Sequence, residues 1–179
     1  MIRFSTAVLT LPMLLLAFGG HAVAQQSPAA TATRTVGGAS ITVQYFAPSV
    51  RGRQIFGAGN LLSKDPTYPI WRAGANDATT LRTSADLDLG GLRVPRGTYS
   101  LFVNVRDPNA WELVVNKQTG QSGLEYDAKQ DLGRVKMTMR KPPALVETLR
   151  WEIRDSGGGK GDLQLAWENH VGSVPISAR

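Results

Sequence analysis

No cysteine occurs anywhere in the 179 residues. Disulfide staples, thiol nucleophiles and thiolate metal sites are thereby excluded, and so is lipid attachment at a cysteine behind the N-terminal apolar run. Histidine is scarce, with His21 and His170 the only two. There is no G-x-S-x-G nucleophile elbow, so nothing assembles a Ser/His/Asp machine. A convincing helical stripe is also missing from every stretch of about ten residues or more, the one candidate helical turn being near Gln54 to Phe56. Positive charge comes in no run: the net charge is +6, one less once Arg3 is removed, and the cations are scattered. That scatter argues against a nucleic-acid partner. It fits simple solubility, or a mildly basic exported protein that meets anionic envelope surfaces or polysaccharide. The glycine-rich run Gly157-Gly158-Gly159-Lys160-Gly161 does not match G-x-x-x-x-G-K-[ST] and precedes no helix, so it reads as a flexible hairpin rather than a phosphate loop.

What is present begins with an export signal. Arg3 supplies a positive n-region, Ala7 to Phe18 is almost wholly apolar, and Ala22-Val23-Ala24 forms a small-x-small cleavage site before Gln25. The apolar run is shorter than the roughly 20 residues a membrane-spanning helix needs, which makes residues 1–24 a secretory signal peptide. Cleavage after Ala24 predicts a periplasmic or secreted protein with no membrane span. Residues 25–32, made of Gln, Ser, Pro, Ala and Thr, read as a flexible leader. Residues 33–179 are one domain by the usual prior of about 100–200 residues per domain. With no cysteine in an oxidising compartment, that domain relies on its core.

The domain is patterned in twos. Ile41, Val43 and Tyr45 alternate with Thr42 and Gln44, and Thr79, Leu81 and Thr83 alternate likewise. Leu87 and Leu89 lead to a two-residue hairpin signal at Gly90-Gly91, followed by Leu92 and Val94. Tyr99, Leu101, Val103 and Val105 alternate with Phe102 on the opposite face, and Asp107-Pro108-Asn109 turns the chain back to Trp111, Leu113 and Val115. Val135, Met137 and Met139; then Leu149, Trp151 and Ile153; then Leu163, Leu165 and Trp167 follow, with a last run from Val171 to Ile176 after a turn at Asn169-His170. About nine or ten short strands with polar outer faces predict an all-β domain, an antiparallel β-sandwich or jelly-roll-like fold. Trp111, Trp151 and Trp167 lie on the apolar phase of strands and belong to the core.

Two stretches escape the pattern. Between the strands at Ile41 and Thr79 lies one long loop that carries aromatic and aliphatic residues and so packs on the sandwich. Loops longer than about 12–15 residues are usually functional or disordered, and this composition is not disordered. Its candidate binding residues are Arg51, Arg53, Tyr68, Trp71, Arg72, Asn76 and Asp77. Two readings stand side by side. One is an ion-pair clamp between the arginines and acids such as Asp77. The other is a pocket in which arginine forks take a small anionic ligand and Trp71 and Tyr68 give platforms for a carbohydrate. Arg51, Arg53, Trp71, Arg72 and Asn76 are expected to converge at one end or face of the sandwich. The second stretch, Lys117 to Gly133, holds Glu125, Tyr126, Asp127 and Asp131, with Arg134 just after. These carboxylates lack the spacing of a calcium loop. They form a candidate acid/base set for glycoside hydrolysis, or solvated loop acids with a salt bridge to Arg134. No metal site and no cofactor is expected.

In order along the chain stand Val43-Gln44-Tyr45, Pro48-x-x-Arg51-Gly52-Arg53-x-Ile55-Phe56-Gly57, Trp71-Arg72-x-Gly74-x-Asn76-Asp77-Ala78-Thr79 and Pro95-x-Gly97-x-Tyr99-Ser100-Leu101. Trp111 with Asn116, and Tyr126 with Asp131 and Arg134, complete the set. These motifs resemble the bacterial domain-of-unknown-function family 2911 across essentially all of the mature chain. Asp77 stands where such proteins often show glutamate. The resemblance implies an exported β-rich domain without an established activity, and it supplies no catalytic residues. Two function classes follow: a non-catalytic ligand-binding or interaction domain of the envelope, or a hydrolase acting on an envelope sugar or polymer through the loop carboxylates.

Overall fold

The computed structural model describes residues 26–179; the expected signal peptide and its cleavage point lie outside them. The strands in chain order are β1 (Ala29–Val36), β2 (Ala39–Phe46), β3 (Ile70–Trp71), β4 (Thr79–Thr83), β5 (Leu87–Leu89), β6 (Leu92–Val94) and β7 (Gly97–Asn104). Then come β8 (Glu112–Asn116), β9 (Asp131–Lys136), β10 (Thr138–Arg140), β11 (Val146–Gly157), β12 (Lys160–Glu168) and β13 (His170–Ala178). They form two antiparallel sheets. The first has the order β1-β2-β4-β7-β8-β9 with β3 also on β7; the second has β11-β12-β13-β5-β6 with β10 on β13.

The period-two pattern builds the core between the sheets. Ile41, Val43, Leu81, Leu101, Leu113 and Val115 of the first sheet meet Leu87, Leu89, Trp151, Leu163, Leu165, Trp167, Val174 and Ile176 of the second, all buried. Alternate residues of the first sheet are not simply solvated. Phe102, Val114 and Ile70 make a small second cluster on the other face, covered by Tyr126 and Ala78.

The all-β, sandwich expectation holds, with thirteen strands rather than about nine or ten. One extra strand is β3, only two residues long, which pairs Trp71 with Val103 inside the stretch read as loop. Another arises because the run from Val135 to Arg140 divides at Met137, whose N–H donates to Trp111 O at 2.9 Å. Before that point the chain belongs to the first sheet, after it to the second, and continuous alternation hides the change. Residues 29–32, expected in a flexible leader, are instead the first half of β1, registered against β2 from Ala29↔Phe46 onward. Ala30 and Ala32 pack against the core, which small side chains conceal in a hydropathy reading. The helical turn expected near Gln54 to Phe56 is absent; short 3-10 turns stand at Leu62–Lys64 and Ala128–Gln130. No helix among the described residues is long and apolar enough to cross a membrane.

Candidate functional site

The long connection from Ala47 to Pro69 is a chain of turns closed by its own backbone. Arg53 N donates to Val50 O, Leu61 N to Gln54 O, Leu62 N to Ile55 O and Tyr68 N to Asp65 O. Its apolar residues hold it down: Val50, Ile55, Phe56 and Leu62 are buried, and Ile55 N donates to Glu168 Oε1 at 2.9 Å. Phe56 is the anchor. Its ring centroid lies 4.8 Å from that of Trp111, 4.7 Å from His170 and 5.9 Å from both Trp71 and Trp167. Edge-on and tilted pairs at such separations add to what burial alone contributes.

Trp71, the aromatic set apart by sequence, is therefore as much a core residue as the other three tryptophans, at 1% exposure. It stacks on Trp167 with centroids 5.5 Å apart, and its Nε1 donates to Gly74 O at 3.0 Å. The next residues fold into a tight loop. Ala73 O accepts from both Trp151 Nε1 and Thr79 Oγ1, and Ala73 and Asn76 take left-handed φ of 52° and 56°. Gly74 fits there because a Cβ would stand 3.0 Å from Phe46 O and from Thr79 Oγ1. This reversal carries Asn76 and Asp77 away to an exposed position.

A pocket of about 400 Å3 opens where the long loop meets this turn. Arg51, Arg53, Lys64, Asp65 and Arg72 supply its charged wall; Pro48 and Leu61 supply apolar surface, backed by the buried Leu62, Trp71 and Trp167. Arg51, Arg53, Trp71 and Arg72 thus come together as expected from sequence, while Asn76 does not join them. Tyr68, at 37% exposure, stands on the surface and is not in the wall of this pocket. The acid that pairs with Arg72 is Asp65, not Asp77: Arg72 Nη1 donates to Asp65 Oδ2 at 2.8 Å. Asp65 Oδ1 accepts from Thr67 N and Thr67 Oγ1, so the carboxylate is held from two sides. Sequence reasoning passed over Lys64 and Asp65; the signal was the turn-forming Asp65-Pro66 lying seven residues before Arg72.

The remaining cations are compensated differently. Arg53 donates through Nε to Val50 O at 2.9 Å and through Nη2 to Ser49 O at 2.6 Å. Carbonyls orient a guanidinium without neutralising it. No carboxylate among the described residues pairs with Arg53 or Lys64. In addition, Arg72 Nε and Trp167 Nε1, on two residues of the wall, are buried donors with no hydrogen-bond partner among the described residues.

The second candidate cluster is a closed network. Tyr126 OH donates to Asp131 Oδ2 at 2.7 Å, and Arg134 donates through Nε and Nη2 to the same oxygen and through Nη2 to Tyr126 OH. Buried Asn116 donates to Asp131 Oδ1 and to Asp127 O, and Asp127 Oδ1 caps the short turn through Lys129 N. Glu125 is exposed and stands outside the network. Burial, with the hydrogen bond to Asp131 next, pushes the Tyr126 phenol up to about 12. Asp131, the carboxylate at the centre, has both oxygens committed to partners within the fold.

The two clusters are joined by residues 117–130, which strap the outer face of the first sheet. The strap meets the tight loop where Gly123 N donates to Asn76 O at 3.1 Å and Ser122 bridges Asp77.

Compared with known families, residues 27–176 match the family model described as "Protein of unknown function (DUF2911)". No curated protein and no solved structure matches the chain.

Proposed function

The chain belongs to this DUF2911 family, and from that premise we propose an exported, non-catalytic binding domain whose pocket takes a small anionic ligand. One observation carries the reading: Arg53 and Lys64 bring positive charge to the pocket that no described carboxylate answers. Guanidinium groups suit carboxylate and phosphate because several N–H donors lie in one plane. The apolar surface beside the cations fits a ligand with a carbon skeleton, an acidic sugar among them. The size of the pocket falls in the range of about 300–1,000 Å3 typical of small-molecule sites.

Export is supported by Arg3, the apolar run and Ala22-Val23-Ala24. The non-catalytic reading is supported by the loop acids, which are engaged in capping and latching or, at Glu125, stand apart from the network.

Calorimetric titration of the mature chain, residues 25–179, with phosphate, citrate and glucuronate tests the proposal. Saturable binding of at least one of them, without turnover, is the expected result; no binding of any would contradict it.

A further inference from the structure

Glycine at 123 does not answer a need for unusual backbone, because its φ is not in the left-handed region; it answers a need for space. A Cβ there would lie 1.9 Å from Arg72 Cδ, 3.0 Å from Arg72 Cγ and 2.5 Å from Asn76 O. The strap therefore lies directly on the aliphatic stem of Arg72, a residue of the pocket wall. Backbone pairing fixes this contact, through Gly123 N to Asn76 O and Ala78 N to Gln121 O. On the far side of Gly123 the strap is pinned by the ring of Tyr126, 5.0 Å from that of Phe102, and by the Tyr126 hydroxyl between Asp131 and Arg134.

Resting on the anion-pocket reading, we infer that Gly123 is a positioning residue for Arg72, and that the Tyr126–Asp131–Arg134 cluster latches the strap that sets the pocket. Arg72 leaves β3 at the mouth of the pocket. Asp65 holds the tip of its side chain through one nitrogen, and the strap confines the stem. Loosening or thickening the strap moves the guanidinium relative to Arg53 and Lys64 and so changes how well the three cations meet one anion. The acids that resemble catalytic carboxylates in sequence thus act on the pocket from outside it, through packing.

The test uses the mature chain, residues 25–179, with inorganic phosphate and citrate as probes and the Arg72 Nε–H resonance as a readout that needs no ligand. Gly123→Ala is expected to shift that resonance and to weaken binding about tenfold, a coupling of ordinary size. In an Arg72→Gln background the same substitution is expected to weaken binding no further, because the group it displaces is gone. Tyr126→Phe removes the latch without adding bulk, and is expected to shift the Arg72 resonance even if Gly123→Ala does not fold. An unmoved Arg72 resonance in Tyr126→Phe, or an undiminished effect of Gly123→Ala in the Arg72→Gln background, would overturn the inference. Absence of binding by the unaltered protein would instead overturn the anion reading, and the resonance would still decide whether the strap positions Arg72.

Discussion

Arg72 and Asp65 form an ion pair of 2.8 Å in which the two side chains are only 18% and 11% exposed. The pair joins the long loop to the tight loop after β3, so it is both a clamp and part of a pocket wall.

Asp65→Asn is expected to lower stability by about 3 kcal/mol, the low end for breaking a buried pair by removing one partner. Arg72→Ala should cost a similar amount, and Arg72→Lys should not restore it, because an ammonium cannot keep the planar fork between Asp65 and the pocket. Urea unfolding monitored by tryptophan fluorescence measures all three. Losses within about 0.5 kcal/mol, ordinary for surface substitutions, would show that the pair is incidental.

The sandwich was legible because apolar residues recur every second position, as at Ile41-Val43-Tyr45, where Thr42 and Gln44 face outward, and at Leu163-Leu165-Trp167, although there the alternate residues Gln164 and Ala166 are buried as well. Of β1, only Thr33 to Val36 was legible as a short strand paired before Ile41; its first half was not, since Ala30 and Ala32 carry little apolar signal although they pack on the core. The meeting of Arg51, Arg53, Trp71 and Arg72 was legible from an apolar loop with its arginines at both ends. The partner Asp65 was not, because contact between residues seven apart in a non-helical loop has no periodic signature. Asn76 was misplaced because left-handed φ at Ala73, a residue that seldom adopts it, reverses the chain.

Tyr126 gives a pH signature. Its phenol titrates at about 12 in the folded protein and near 10 when unfolded. The unfolded state thus loses this proton first. Stability from the neutral phenol is complete below about pH 10 and is lost as pH rises toward 12. Alkaline unfolding followed by tyrosinate absorbance should show this decline, and Tyr126→Phe should flatten it. An identical alkaline profile in the variant would contradict the latch.

His170, the only histidine in residues 26–179, stacks on Trp111 at 5.6 Å. Burial holds its pKa below the usual 6.5 despite the Glu168 carboxylate, which is 3.2 Å away. The folded state resists protonation, so its contribution is present above about pH 6.5 and is lost as pH falls through the lowered pKa. Proton NMR of the imidazole should give a midpoint below 6.5; a midpoint above it would mean that Glu168, not burial, governs the ring.

Export has its own check. Expression of the full chain in a Gram-negative host, followed by N-terminal sequencing of the protein released from the periplasm, should yield a chain that begins at Gln25. A protein that begins at Met1 would contradict the signal-peptide reading.

Arg53 and Lys64 should give the pocket its affinity for a small anion. The affinity for citrate of the unaltered protein and of Arg53→Glu with Lys64→Glu, each measured at low salt and near 0.15 M, decides this. Saturable binding should weaken as salt shortens the screening length toward about 8 Å, and no binding should be detectable after the charges are reversed. Citrate bound equally well by both proteins, with no dependence on salt, would contradict it.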